Sequence, residues 1–468
     1  MKFYLAVDIG ASNGRHIVSH VEDGRIVLEE IYRFENTQIQ RNGHDCWDVE
    51  ALWGHILEGL RACKARDRIP VSMGIDTWAV DFLLLDGEGR PLTDAVAYRD
   101  KRTEGMREAL EPVLPFAEHY AKTGIQYQPF NTVYQLAALK KEHPEQLEAA
   151  ERLLMIPDYF HYRLTGEAAN EYTNATSTAL INARSKTWDE ELLAAVGLPR
   201  RIFGEPVMPG ARLGRFTAEV KEAVGFDCEV VLPATHDTGS AFLAVPARDD
   251  RAVTLSSGTW SLLGVENPEP VTTAESRARN FTNEGGYACR YRFLKNIMGL
   301  WMIQSIRREL SAARPWSYAE LESEARRAGD FQSLVDVNDA AFLAPASMIE
   351  AVKEACRRSG QAVPETVGEL MQCVYRSLAR CYAGAVEELS ELTGKRYTSI
   401  NIVGGGSKDG YLNELTAGAA GLPVFAGPTE GTALGNLMVQ MIAAGEFADL
   451  QAARAAIPKS LPIKEVQP

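Results

Sequence analysis

The stretch Val230-Val-Leu-Pro-Ala-Thr-His-Asp-Thr-Gly-Ser-Ala-Phe242 decides how the rest of the chain is read. Val230 to Leu232 is an apolar run of strand formers, and Thr238-Gly-Ser-Ala241 is a small-residue helix start. Between them stand His236 and Asp237, at a predicted strand-to-helix junction. In α/β proteins the strand fixes a position there, and the helix end favours anionic groups. Asp237 flanked by His236 and Thr238 suits proton transfer or substrate binding. An Asp at this place also serves commonly as a helix cap. The stretch alone leaves the two roles equal.

The remainder of the chain supplies the context. At 468 residues it is too long for one core, and two or more domains are expected. The net charge of -14 argues against nonspecific nucleic-acid binding and against an anionic membrane surface. The apolar run that opens the chain is short and interrupted by Asp8, unlike a signal peptide, and no stretch approaches a membrane span. Seven scattered cysteines with no Cys-x-x-Cys pair argue against structural zinc and a disulfide scaffold. Cys356 and Cys373 could meet on facing helices, but reduced thiols are expected. These features together predict a cytoplasmic enzyme.

Phe3 to Ile9 and Arg15 to Val21 read as strands around Gly10-Ala-Ser-Asn-Gly14, with a third strand over Arg25 to Phe34. The turn is neither a P-loop nor a dinucleotide fingerprint, because no Gly-Lys-Ser/Thr follows and a strand comes next in place of a helix. Its backbone N–H groups can form an anion nest. Asp8, a lone acid in an apolar strand, needs a reason to be buried, and a metal ion would supply one. Ala252-Val-Thr-Leu255, Ser256-Ser-Gly-Thr259 and Trp260 to Val265 repeat the strand, turn, strand pattern. Two such hairpins, one opening each half, suggest a duplicated unit with a ligand between the copies. The polar link Pro246-Ala-Arg-Asp-Asp-Arg251 marks the expected boundary, giving domains 1–246 and 247–468.

Several other stretches carry chemistry. Asp76, Trp78 and Asp81 sit among predicted strands. Carboxylates with an indole suit a sugar, although a cap and a core Trp explain them as well. Glu171 to Thr178 reads as a hydroxyl-rich loop, and Asn296 and Gln304 fall near a strand-to-helix junction. Val403 ends in Gly404-Gly-Gly406 before a helix, where a nucleotide can approach the backbone closely. The tail beyond Pro458 reads as loosely ordered.

Asp8-Ile-Gly-Ala-Ser-Asn-Gly-Arg15, Thr235-His-Asp-Thr-Gly-Ser-Ala241, Leu255-Ser-Ser-Gly-Thr-Trp260 and Val403-Gly-Gly-Gly406 together resemble the FGGY carbohydrate kinases, in order and separation, across nearly the whole chain. Gly74 to Phe82, Ala97-Tyr-Arg-Asp100, Asn174 to Thr178 and Leu294 to Trp301 resemble the members acting on L-rhamnulose. Ala79 stands where those members often carry Gly.

The resemblance implies an α/β fold of two ribonuclease-H-like domains around a central cleft, as in the actin, Hsp70 and sugar kinase superfamily. It implies a sugar-binding N-terminal domain and a nucleotide-binding C-terminal domain. It also implies ATP-dependent phosphorylation of L-rhamnulose at O1, with Mg²⁺ as cofactor. By the same resemblance Asp237 is the catalytic base, and Ala79, His236, Asp237, Thr238 and Asn296 contact the sugar. Ala11, Ser12, Asn13, Gly14 and Arg15 form a phosphate hairpin, with Thr259 in the second hairpin. Gln304, Gly404 and Gly405 line the nucleotide, and Asp8 lies near Mg²⁺ through water. The expected partners are the sugar and ATP, with no nucleic acid and no membrane, in a monomer or small homo-oligomer. The alternatives are a kinase of another ketose or polyol, such as xylulose or fuculose, and an actin- or Hsp70-like ATPase.

Overall fold

The computed structural model describes every residue except Arg248. Arg248 belongs to the expected interdomain link and lies outside the described residues. In chain order the elements that position the site are β1 (Phe3–Ile9), β2 (Asn13–Glu22), β3 (Arg25–Glu35), α1 (Val49–Ala65), β4 (Pro70–Thr77), α2 (Ile156–Thr165), β5 (Arg212–Arg215), β6 (Glu229–Val231) and α3 (Asp237–Leu243). They continue with β7 (Ala252–Ser257), β8 (Ser261–Asn267), β9 (Thr282–Gly285), β10 (Tyr291–Ile297), α4 (Trp301–Ser311), α5 (Val367–Thr393), β11 (Ser399–Val403) and α6 (Gly410–Ala420). The chain ends with β12 (Val424–Ala426), α7 (Gly431–Ala443), α8 (Leu450–Ser460) and β13 (Lys464–Val466).

Packing divides these into two compact units. The first holds 1–244, 266–293 and 431–460; the second holds 245–265, 294–430 and 461–468. This grouping is not one linear cut, because two later segments complete the first unit's core.

In the first unit the strand order is β3-β2-β1-β4-β6-β5. β1, β2 and β3 form an antiparallel meander, β1, β4 and β6 run parallel, and β5 closes the edge antiparallel. The central strands β1 and β4 are buried along nearly their whole length, as a covered sheet requires, and their polar residues include Asp8 and Asp76 near the carboxyl ends. α1 shows how the helices cover it. Asp48 caps its start by accepting from Ala51 N–H at 3.0 Å. Leu52, Ile56, Leu60 and Cys63 recur at helical spacing and are all buried.

The second unit repeats the plan. β7 pairs antiparallel with β8 and parallel with β11, β11 runs parallel to β12, and β13 closes the edge antiparallel. The hairpin β7–β8 therefore stands to β11 as β1–β2 stands to β4, which is the duplication read from the two turns. α5, 27 residues long, opens with a capping box of Thr366 and Glu369 and closes on Gly394 in the left-handed conformation.

Two expectations are corrected. The tail is ordered: α8 runs through Pro458 to Ser460, and β13 pairs with β12. Residues 171–178 are not a loop but a helical turn, Tyr172–Ala175, followed by a 3₁₀ turn, Thr176–Thr178. All seven cysteines are free thiols; the sulfurs of Cys356 and Cys373 lie 3.9 Å apart. No helix among the described residues is long and apolar enough to cross a membrane.

Candidate active site

In the first unit three parallel runs end side by side. Asp8 on β1 is in register with Asp76 on β4, and Thr77 forms a parallel bridge with His236 just before α3. Ligands of open α/β sheets collect at such carboxyl ends. The ends hold Asp8, Asp76 and Asp237, three acids brought together from distant parts of the sequence.

The segment before Asp237 is fixed by a buried carboxylate. Glu171 accepts from the N–H and hydroxyl of Thr235, at 3.1 and 2.7 Å, and from those of Thr173, at 2.9 and 2.5 Å. Thr77 N–H donates to the Thr235 carbonyl at 2.9 Å. Ser240 Oγ donates to the Ala234 carbonyl at 2.7 Å, closing the junction into α3. At the other end of α3, Arg454 on α8 donates to the carbonyls of Leu243 and Phe242, at 3.1 and 2.9 Å, and pairs with Glu266 at 2.8 Å. Cationic donors are favourable at a helix C-terminus.

Asp237 itself combines a dense protein surround with access. Its side chain keeps 32% of its surface exposed. Oδ1 accepts from Thr238 N–H at 2.5 Å and from Thr238 Oγ1 at 3.1 Å. Desolvation and the nearby Asp8 charge nevertheless raise its pKa to about 6, outweighing Thr238 and Arg292. The deeper Asp76 is pushed well above the usual carboxylate range by burial and then by Asp8. Its Oδ2 accepts from Asn436 at 2.6 Å, while its Oδ1 has no partner.

His236 is buried, with Nε2 3.5 Å from Asp237 Oδ1. Its Nδ1 faces Arg292 Nη2 at 3.1 Å. Burial, reinforced by the Arg292 charge, drives its pKa well below the normal value, so the ring is neutral. Arg292, on β10, is fully buried. It also donates to the Gly285 carbonyl at 2.9 Å and pairs with Glu284 at 3.0 Å.

The turn Gly10–Asn13 leaves Ala11, Ser12 and Asn13 exposed and is closed by Gly10 N–H donating to the Asn13 carbonyl at 2.9 Å. Gly14 is buried, and Arg15 folds back onto Asp8, its Nε and Nη2 reaching Oδ2 at 3.0 and 2.8 Å. Ala79 is partly exposed beside Val80, whose φ of 71° is rare for a β-branched residue. Hydrogen bonds from Thr132 and Gln135 to the Val80 carbonyl, and between Val80 N–H and Ser177 Oγ, hold that backbone.

Trp78 and Asp81 do not form an open sugar-facing surface. Both indoles, of Trp47 and Trp78, donate to Asp81 Oδ2 at 2.7 and 2.9 Å, and all three residues are buried. Gln135 ties Asp81 to the neighbouring turn, its Nε2 donating to Asp81 Oδ1 at 3.0 Å and to the Val80 carbonyl at 3.2 Å.

In the second unit the hairpin turn is joined to a helix. Gly258 and Thr259 carbonyls accept from Leu300 and Trp301 N–H at 3.0 and 3.1 Å, so α4 starts on the turn. Thr259 Oγ1 lies 3.4 Å from Gln304 Oε1. Asn296 is half-buried on β10. Gly404 has φ 87° and donates to the Pro428 carbonyl at 3.1 Å, and Gly405 is exposed beside it. The structure thus brings Asp8, Asp237, His236 and Thr238 together in one unit and Thr259 with Gln304 in the other.

Residues 3–244 match the N-terminal domain, and residues 253–444 the C-terminal domain, of the FGGY family of carbohydrate kinases. The chain belongs to that family. This kinase is 51% identical over 464 residues to a protein named rhamnulokinase from Halalkalibacterium halodurans, covering 99% of this chain and 98% of that one. It is 44% identical over 466 residues to a rhamnulokinase from Bacillus subtilis, covering 99% and 95%. Its fold is similar to that of gluconate kinase from Lactobacillus acidophilus, with a TM-score of 0.83 at 17% identity, covering 100% of this chain and 94% of that one. A xylulose kinase from the same organism gives 0.81 at 18%, with the same coverage. The kinase has the two-domain α/β fold of the sugar kinase, Hsp70 and actin superfamily.

Sequence reasoning missed Glu171, Glu284 and Arg292 as supports of the kinase's acidic site. Arg292 carried a signal: an arginine in an otherwise apolar strand, Tyr291 to Leu294, needs a buried partner.

Proposed function

We propose that the chain transfers the γ-phosphoryl group of ATP to O1 of L-rhamnulose, giving L-rhamnulose 1-phosphate and ADP, with Asp237 accepting the O1 proton. The observation that carries the mechanism is the accessible Asp237 carboxylate at the end of a parallel strand. The sugar assignment is supported by likeness over nearly the full chain to proteins named rhamnulokinase.

In the transfer, O1 bonds to the γ-phosphorus as the bridging bond to the β-phosphate breaks, and the proton leaves O1. Thr238 holds Oδ1 of Asp237, leaving Oδ2 for the sugar hydroxyl. A base with a pKa of about 6 is ionised at neutral pH yet close enough to receive the proton late in a loose transition state. In this reading Ala79, His236, Thr238 and Asn296 orient the sugar, with Ala79 contributing its backbone so that a methyl group is tolerated. The hairpin residues Ala11 to Arg15, and Thr259, receive the phosphates. Gln304, Gly404 and Gly405 receive the nucleoside. The functional domains are assigned to 1–246 and 247–468.

The acidic strand ends fit Mg²⁺ held through water. The Arg15 hydrogen bonds to Asp8 at 3.0 and 2.8 Å both fall on Oδ2, and no cluster of three groups among the described residues could hold a metal directly. Asp8 would hold the hydrated ion, which when bound supplies charge neutralisation to the phosphates. The function is tested by coupled ADP release over a panel of ketoses and polyols. L-rhamnulose is expected to give the highest kcat/KM. A wide preference for D-xylulose or L-fuculose would replace the substrate, and sugar-independent ATP turnover at full rate would replace the class.

A further inference from the structure

We infer that Arg292 is a positioning residue: held by Glu284, it fixes His236 as the neutral tautomer whose Nε2–H points at the Asp237 carboxylate. The inference rests on Asp237 being the base, and it concerns groups outside the sequence motif that contains Asp237.

Three contacts decide the tautomer. Arg292 Nη2 lies 3.1 Å from His236 Nδ1, and a guanidinium only donates. Glu284 Oε2 lies 3.3 Å from the same nitrogen and would accept from it. Asp237 Oδ1 lies 3.5 Å from Nε2. With the proton on Nδ1, Arg292 would meet a second donor, and Nε2 would turn a lone pair toward a carboxylate. With the proton on Nε2, both of those contacts become favourable. Only the Glu284 contact is then unfavourable; that carboxylate keeps its ion pair with Arg292 Nη1 at 3.0 Å, although neither Oε2 nor Nη1 completes a hydrogen bond. An imidazolium would suit both acids but sets a second positive charge against a buried guanidinium.

The burial pattern fits a positioning role. Arg292 and Glu284 keep only 1% and 10% of their side-chain surface, so neither is placed to touch a sugar or nucleotide. A buried pair is seldom a net gain in stability over apolar residues. Here its geometry does one further thing, which is to orient the imidazole beside the base. The 3.5 Å separation is at the outer edge of hydrogen bonding, and such contacts commonly tighten when substrate binds. A donor on Oδ1 keeps Oδ2 turned toward the sugar and stabilises the ionised carboxylate.

The test is the nitrogen spectrum of the full-length enzyme labelled with ¹⁵N-histidine, the His236 signals being assigned by their loss in His236→Gln. Between about pH 6 and 8 the wild-type ring is expected to show a protonated Nε2 and a bare Nδ1. A protonated Nδ1, or an imidazolium, overturns the inference. The second arm is the charge-balanced pair Arg292→Met with Glu284→Gln. It is expected to lower kcat about tenfold, the scale of a lost hydrogen bond to a charged group, with the KM for ATP unchanged within about twofold. Arg292→Lys in the Glu284 background is expected to recover part of the loss. A folded pair variant with wild-type kcat and an unchanged His236 spectrum overturns the inference. Should the pair not fold, the wild-type spectrum decides. Turnover surviving Asp237→Asn would overturn the functional reading, whereas a protonated Nδ1 in an enzyme that needs Asp237 overturns this inference alone.

Discussion

Gly435 on α7 lies directly against the carbonyl oxygen of Ser240 on α3, with no room for a β-carbon between them. The contact brings α7 onto the short helix that begins with Asp237, and the Asn436 side chain next in sequence reaches Asp76 at 2.6 Å. Backbone cannot move aside as a flexible side chain can. Gly435→Ala is therefore expected to lower stability by about 1–3 kcal/mol, the usual cost of overpacking, and to reduce kcat by displacing Asp237. Thermal unfolding and steady-state kinetics on the purified variant check both. Wild-type melting and kcat would show that α3 is not held by this contact.

The pH dependence follows from the raised pKa of Asp237. A base must be ionised to accept a proton, so kcat/KM is expected to rise with pH through a midpoint near 6. Stability runs the other way. The folded protein keeps a proton that the unfolded chain has already lost, so between about pH 4 and 6 the Asp237 contribution falls as pH rises. Asp76 and Asp81, also raised, act in the same direction. A pH–rate profile beside a pH series of melting temperatures checks the opposed trends. The window is wrong if the acidic limb sits at the ordinary carboxylate value.

Gly404 and Gly405 are neighbours with different constraints. A β-carbon on Gly404 would lie 2.9 Å from the Ser257 carbonyl oxygen, at a φ of 87° that side chains rarely adopt. A β-carbon on Gly405 meets nothing within 4 Å. Gly405→Val is thus expected to fold normally and to raise the KM for ATP far more than the KM for sugar, while Gly404→Val is expected to lose stability. Kinetics in both substrates together with unfolding curves separate the cases. An unchanged ATP KM in folded Gly405→Val would remove this turn from the nucleotide site.

Much of the architecture was legible because strand and helix periods differ and the junction residues are small. The two hairpins, the β4 strand, α1 and α5 all follow from local patterns and caps. Asp237 and His236 were legible for the same reason, since an acid at a strand-to-helix junction is a local feature. What failed depends on distant partners. The sequence leaves Trp78 and Asp81 equally open to a sugar-facing and a core role, and what decides for the core is the Trp47 indole, from another part of the chain, which shares Asp81 Oδ2. Glu171 looked like part of a hydroxyl-rich loop, yet its lone pairs organise Thr235, 64 residues away. The tail reads as loosely ordered because nothing local to Lys464 to Val466 reveals that β12 pairs with it.

The central claim is that Asp237 accepts the sugar proton, and Asp237→Asn tests it most directly because the shape stays while the basic oxygen goes. Turnover of L-rhamnulose with saturating ATP is the measurement. The expected result is a folded variant that binds both substrates nearly as the wild type does and loses kcat by roughly 10²-fold or more, with the acidic limb near pH 6 gone. A folded Asp237→Asn enzyme with near-normal kcat would contradict the assignment.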